Sequence, residues 1–224
     1  MQKFAITHTT PVTVSLLRNL AHELLPGWEI VDFVDDTILP QLASNGGDVE
    51  QVVGQLVRFA HLAEQAGAAG VLNACSSVGE AVQAMAQAVS IPVVRIDEAM
   101  AEEAVQRGRQ IGIAATVETT LNPTRRLILA KAASIRAEIE LEPVLVSEAY
   151  QKLVSGDQAG HDQALATALD GLAKRADVIV LAQASMSRVL PALPADLRQK
   201  FLSSPRSGME KLKMILEGQD GTQA

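Results

Sequence analysis

The sequence predicts an α/β protein made of two related lobes, each with a mainly parallel sheet flanked by helices. Two observations carry this. Short β-rich runs alternate with longer helical patterns along the chain, and the second half repeats the order of the first. KFAITHTTPVT, which begins at Lys3, is echoed by QIGIAATVETTLNPT, which begins at Gln110; each is a strand that ends in threonines before a proline-started helix. GVLNACSSV, from Gly70, is echoed in the same way by VIVLAQASM, from Val178. The 224 residues leave room for two lobes of about 100 residues each. The lobes are expected at 1–97 with 205–224, where the last helix returns to the first lobe, and at 98–204.

Taken in order, strands are expected at 3–7, 29–34, 70–73, 93–96, 110–115, 138–143 and 178–182. The first helix, 11–25, has Thr10 as N-cap and Pro11 at its first position, and Pro26 and Gly27 end it. The next, 48–66, carries Val52, Leu56, Phe59 and Ala63 on one face and stops at Gly67. Ser77-Val78-Gly79-Glu80 reads as a capping box followed by an apolar face of Val82, Met85 and Val89, so Cys75 falls in a strand-to-helix turn. Further helices are expected at 98–108, 123–134, 160–175 and 205–217.

With 48% hydrophobic and 20% charged residues, the chain has the composition of a soluble globular protein. A net charge of -7, with basic pairs such as Arg125-Arg126 and Lys174-Arg175 scattered, argues against nucleic-acid and anionic-membrane partners. The single cysteine excludes an internal disulfide and a multi-cysteine zinc site. The N-terminus lacks the pattern of a secretory signal, and no run approaches the roughly 18 apolar residues of a membrane span, so a cytoplasmic protein is expected.

Ligands of parallel sheets lie beyond the carboxyl ends of the strands. Four polar turns, at 7–10, 73–77, 115–120 and 182–186, fall at such ends. Three of them open helices, whose free N–H groups and neighbouring hydroxyls suit a small carboxylate, although capping alone would also select serine and threonine there. Cys75 lies near a helix start between Asn73 and Ser76-Ser77, a setting that lowers a thiol's pKa and makes a proton-abstracting or carbonyl-attacking thiolate. The other reading of Cys75 is a small buried hydrophobe. His8, His22, His61 and His161 show no metal-ligand spacing, and there is no GxGxxG, no P-loop and no Schiff-base lysine that stands out. Neither a metal nor an organic cofactor is expected.

Over nearly its whole length the sequence resembles the aspartate/glutamate/hydantoin racemase superfamily. THTT after the first strand, NACSSVGE, PVVRIDEAMAEEAV, ATVETTLNPT and VIVLAQASM carry the resemblance through their order and spacing. It implies two Rossmann-like lobes related by pseudo-twofold symmetry, an active site in the cleft between them, and cofactor-independent acid-base chemistry at the α-carbon of a small amino acid or carboxylic acid. In such racemases one cysteine from each lobe flanks that carbon.

Carried over by position, Cys75 matches the first catalytic cysteine and Ser76 and Ser77 the polar residues after it. Thr116, Thr119 and Thr120 match the carboxylate-binding turn, while Thr9, Thr10 and Asn73 are candidates for the opposite wall. The second cysteine falls at Gln183 or Ala184, neither of which exchanges a proton at neutral pH. Glu118, His8 or Ser185 could replace it as the second base. With Cys75 alone the reaction is one-sided: a lyase such as a malonate-type decarboxylase, or a hydrolase. A non-catalytic small-acid-binding protein is the remaining reading. The expected partner is the small-molecule substrate, homo-oligomerisation stays open, and the loops 35–47 and 150–161 are expected to set specificity.

Overall fold

In the computed structural model, which describes residues 2–220, the chain divides into two compact units. One comprises the residues up to Ile96 together with those from Pro205, the other Asp97–Ser204. The first holds β1 (Lys3–His8), α1 (Val14–Leu24), β2 (Glu29–Val34), α2 (Ile38–Ser44), α3 (Val53–Gln65), β3 (Val71–Asn73), α4 (Val82–Ala88) and β4 (Val93–Arg95). The chain's last helix, α10 (Ser204–Asp220), completes this unit. Its sheet has the order β2-β1-β3-β4 and every pairing is parallel.

Both faces of this sheet are covered, which is why its inner strands read as apolar runs without a polar alternation. On one face Phe4, Ile6 and Leu72 pack with Leu17 and Ala21 of α1 and with Met209, Leu212 and Leu216 of α10. On the other, Ala5 and Val71 meet Leu56, Ala60 and Ala63 of α3 and Met85 of α4. The spacing of four and three within α3 places its small and branched residues on one stripe. Each fully buried leucine contributes roughly 1.5–3 kcal/mol.

The second unit repeats the plan with α5 (Glu98–Arg107), β5 (Gln110–Ala115), α6 (Glu118–Ser134), β6 (Glu140–Leu145), α7 (Ser147–Val154), α8 (Gln158–Ala173), β7 (Val178–Leu181), α9 (Ala195–Arg198) and β8 (Phe201–Ser203). Its parallel sheet has the order β6-β5-β7-β8. Ile111, Ile113 and Val180 pack with Met100 and Ala104 of α5 and Ile128 of α6, whereas Ala114, Ile179 and Leu181 pack with Leu165, Leu169 and Leu172 of α8. Gly112 exists for that second contact, because a Cβ there would lie 2.8 Å from Leu172.

Several expected elements differ in detail. α6 starts at Glu118 and not at 123, so Pro123 lies inside it; a proline early in a helix costs the bond its N–H would have made to the Thr119 carbonyl, not the helix. Ser77 starts no α-helix: residues 76–81 form a 3-10 turn kinked at Val78, and α4 begins only at Val82. The segment 35–47 is not an open loop, since α2 occupies most of it, and 150–161 holds the end of α7 and the start of α8. β6 is displaced toward its C-terminus relative to 138–143. β8, three residues long, carries too little pattern to be read from sequence.

α10 approaches the end of β4 closely: a Cβ on Gly208 would run into the Ile96 carbonyl and its side chain. Gly208→Ala is therefore expected to destabilise the protein by about 1–3 kcal/mol through overpacking. Gly54→Ala, whose Cβ would meet open space, is the control. Urea unfolding of the two variants beside the parent checks this; equal midpoints for all three would contradict the packing assignment.

Candidate active site

The two sheets are paired in the same register. In the first unit β1 meets β3 at Ala5↔Val71, Ile6↔Leu72 and Thr7↔Asn73. In the second β5 meets β7 at Gly112↔Ile179, Ile113↔Val180 and Ala114↔Leu181. Two residues beyond the last of these pairs stand Thr9 and Cys75 in the first unit, and Thr116 and Gln183 in the second. The strand register thus selects Gln183, not Ala184, as the counterpart of Cys75.

Around Cys75 the turn is built by side chains that hold the backbone. The Cys75 N–H donates to Asn73 Oδ1 (3.0 Å), and Asn73 Nδ2 lies 3.7 Å from Met85 Sδ. Asn73 is buried, and its side-chain oxygen holds the turn. Ser76 and Ser77 are buried as well. Gly79 admits the Arg95 guanidinium against its backbone, a place any Cβ would fill, so a buried cation lies under the turn that carries the thiol.

Cys75 itself is partly accessible. Burial of its sulfur pushes the thiol up, while the Thr9 hydroxyl, the Ser77 and Val78 backbone N–H groups and the Ser77 hydroxyl pull it back without cancelling the rise. The depressed pKa expected from the sequence is thus not found. A kinked 3-10 turn follows Cys75 in place of an α-helix, so individual hydroxyl and N–H groups, with no aligned helix dipole behind them, oppose desolvation. Thr9 is buried, and its Oγ1 has no hydrogen-bond partner of ordinary geometry; Thr7 Oγ1, two residues earlier on the same strand face, is a second such orphan. A buried unpaired hydroxyl costs about 1–3 kcal/mol and calls for a functional explanation.

Thr10 does what an N-cap does: its Oγ1 accepts from the Val12 N–H (3.4 Å). Behind it lies a network that the sequence reading missed. His8, fully buried, places Nε2 2.9 Å from Asp32 Oδ1 and Nδ1 2.9 Å from Thr13 Oγ1. The nitrogen that faces a carboxylate must carry the proton, so Nε2–H donates to Asp32. Arg18 Nε donates to the other Asp32 oxygen. Burial alone would raise the Asp32 carboxyl; the hydrogen bonds from His8 and Arg18 and their charge hold it below the ordinary 3.8. The sequence signal was there, since Asp32 is a lone charge within the apolar run IVDFV. His8 is therefore a structural anchor of the β1 turn.

In the second unit Gln183 Oε1 accepts from both the Thr116 N–H (2.6 Å) and the Thr116 hydroxyl (2.9 Å). Thr116 is buried and both of its donors are spent on this amide. Thr120 is buried in the first turn of α6, Thr119 and Ser185 are half-buried, and Glu118 is exposed with no partner among the described residues. Among the described residues no group of three or more His, Cys, Asp and Glu side chains could hold a metal ion, and no helix is long and apolar enough to cross a membrane. A depression of about 580 Å³ lined by Arg107, Arg109, Arg136, Glu138 and Asp177 lies at the opposite, amino-terminal end of β5, away from these turns.

The model of the Asp/Glu/Hydantoin racemase family matches residues 7–212, a span that contains every one of these turns. The chain belongs to this family. Solved structures with the same fold include a glutamate racemase of Francisella tularensis in complex with D-glutamate (14% identity, TM-score 0.76, 98% of this chain and 82% of that one). A glutamate racemase of Bacillus anthracis (19%, 0.73, 97% and 82%) and an allantoin racemase of Klebsiella pneumoniae (15%, 0.67, 98% and 89%) are similar in the same way. At these identities the likeness is one of fold. No curated protein matches the sequence.

Two outcomes test this family member's site. Alkylation of Cys75 by iodoacetamide is expected to rise only above the ordinary thiol range, and Thr9→Val should move the profile higher still by removing a group that lowers the pKa. A profile below that range, or unmoved in Thr9→Val, contradicts the assignment. For Asp32, whose carboxyl is depressed in the fold, the stability it contributes is present above the unfolded value and lost as pH falls through the folded one. Asp32→Asn should therefore be less stable at neutral pH, and its denaturation midpoint should fall less than the parent's between about pH 5 and pH 2.

Proposed function

We propose that the protein is a cofactor-independent enzyme that moves a proton at the α-carbon of a small amino acid or carboxylic acid, a racemase-type isomerase reaction with Cys75 as the acid-base thiol. The observation that carries this reading is the buried, unpaired Thr9 hydroxyl beside the sole thiol of a racemase-family chain. A thiol pushed up by burial rests protonated near neutral pH and is stored as a donor. As a base it must first lose that proton, at about 1.4 kcal/mol for each pKa unit above ambient pH. The Thr9 and Ser77 hydroxyls and the Ser77 and Val78 N–H groups lower that cost, because each stabilises the thiolate. Thr119 and Thr120, at the start of α6, together with Ser185, are assigned to binding the substrate's carboxylate.

A second reading is favoured by Gln183, an amide that takes up no proton at the position matching Cys75. Here the thiol alone delivers a proton to one face of an enolate, as in decarboxylation of a malonate-type acid. Product mass separates the two, since racemisation leaves it unchanged.

The decisive experiment incubates aspartate, glutamate, hydantoins and substituted malonates with the enzyme in deuterated water and reads mass and chirality. The parent should introduce deuterium at the α-carbon of one of them. Cys75→Ala should lower that rate by at least about 100-fold, the lower end of what a positioned acid-base group contributes. An unchanged rate in Cys75→Ala would remove the thiol from the mechanism.

A further inference from the structure

Gln183 occupies the site of greatest consequence that the acid-base reading leaves without a task. Its orientation is fixed by chemistry, because the Thr116 N–H can only donate. The atom 2.6 Å from that nitrogen must therefore be the amide oxygen, and the Thr116 hydroxyl shares it at 2.9 Å. Oε1 is thus consumed by two donors from one buried residue. The other half of the amide, Nε2, has no acceptor among the described residues and belongs to a half-buried side chain at the carboxyl end of β7.

We propose that Gln183 is a specificity-determining hydrogen-bond donor: Thr116 clamps its oxygen so that the NH₂ group is presented to an anionic oxygen of the substrate, a carboxylate or the oxyanion that forms from it. The inference rests on the proposed reading of these turns as substrate-binding, and it assigns no proton transfer to the second unit. An amide whose oxygen is held twice cannot turn to offer an acceptor, so the position favours ligands that present an acceptor oxygen, a negatively charged one most, and disfavours ammonium groups, which only donate. Thr116 is a positioning residue that acts through Gln183.

Gln183→Glu isolates the claim. A glutamate is isosteric and still accepts from both Thr116 donors, so the clamp and the fold are retained, but the free end changes from a neutral donor to a charged acceptor. Calorimetric titration with malonate and with aspartate is expected to show binding to the parent that is about 10- to 100-fold weaker in Gln183→Glu, through loss of one charge-assisted hydrogen bond and repulsion by the new carboxylate. Thr116→Val, which removes the hydroxyl clamp and keeps the backbone one, should weaken both ligands by a smaller factor, and Thr116→Ser, which keeps the hydroxyl, should retain parental affinity; in the Gln183→Glu background Thr116→Val should cause no further loss, whereas a role independent of Gln183 would add one. Circular dichroism of each variant confirms folding. Equal affinity in the parent and Gln183→Glu, or affinity in neither, overturns the proposal. The acid-base reading fails separately: if Cys75→Ala leaves deuterium exchange unchanged while Gln183→Glu loses malonate, the donor assignment stands and the thiol's role falls.

Discussion

The constraint on which the site depends is the register between the first and third strands of each sheet. Parallel pairing leaves no freedom once Thr7 meets Asn73 and Ala114 meets Leu181, because a one-residue slip would exchange the two side-chain faces and expose a core. Both faces of the inner strands are packed, so a slip there would force the side chains of one core into the space of the other. The residues two positions past the last pair are carried along: a threonine beside a thiol in one unit, a threonine beside an amide in the other. At these positions the two units share a backbone frame and differ in side-chain chemistry.

The same register has opposite energetics in the two units. Thr116 spends its N–H and hydroxyl on Gln183 and is satisfied in the fold. Thr9 lacks such a partner: sulfur is a weak acceptor, and the Thr9 hydroxyl stays unpaired at 3% exposure. The first unit thus holds unspent hydrogen-bonding capacity next to a thiol that burial keeps protonated, while the second holds a pre-oriented donor. Glutamine at this position satisfies both Thr116 donors and exchanges no proton at neutral pH.

Much of this was legible in the sequence, and what was not has particular causes. The alternation of strands and helices and the internal repeat come from hydrophobic period and turn chemistry, both of which are local, while the motif order around Cys75 carries the family resemblance. Pro123 misled because it reads as a helix start, whereas five residues before it already satisfy helical geometry in the folded chain. The capping-box pattern at Ser77 misled for the converse reason: Gly79 must receive the Arg95 guanidinium, and that long-range contact keeps the segment in a kinked 3-10 turn. The thiol's pKa followed from the same turn. Proximity to a helix start was readable, but the balance between desolvation and single N–H groups requires coordinates.

The His8–Asp32 pair shows how the readable and unreadable parts connect. His8 is the last residue of β1, and its backbone carbonyl accepts from the Asp35 N–H (3.0 Å) while its ring is fixed between Asp32 and Thr13. Both ends of the residue that precedes Thr9 are therefore tied to β2 and to the segment leading into α1. This fixes where the Thr9 backbone begins, and its own two dihedrals and side-chain rotamer then set where the hydroxyl stands. A buried ion-paired network is weak evidence for net stability, since desolvation offsets most of its Coulombic gain. Its clearer effect is geometric, because a hydroxyl that tunes a thiol must stay within hydrogen-bonding range of it, and the strand beneath supplies direction but not the last residue's rotation. The anchor behind β1 and the clamp on Gln183 are in this sense one solution reached twice: a polar contact beside a strand end sets the orientation of the residue that stands there.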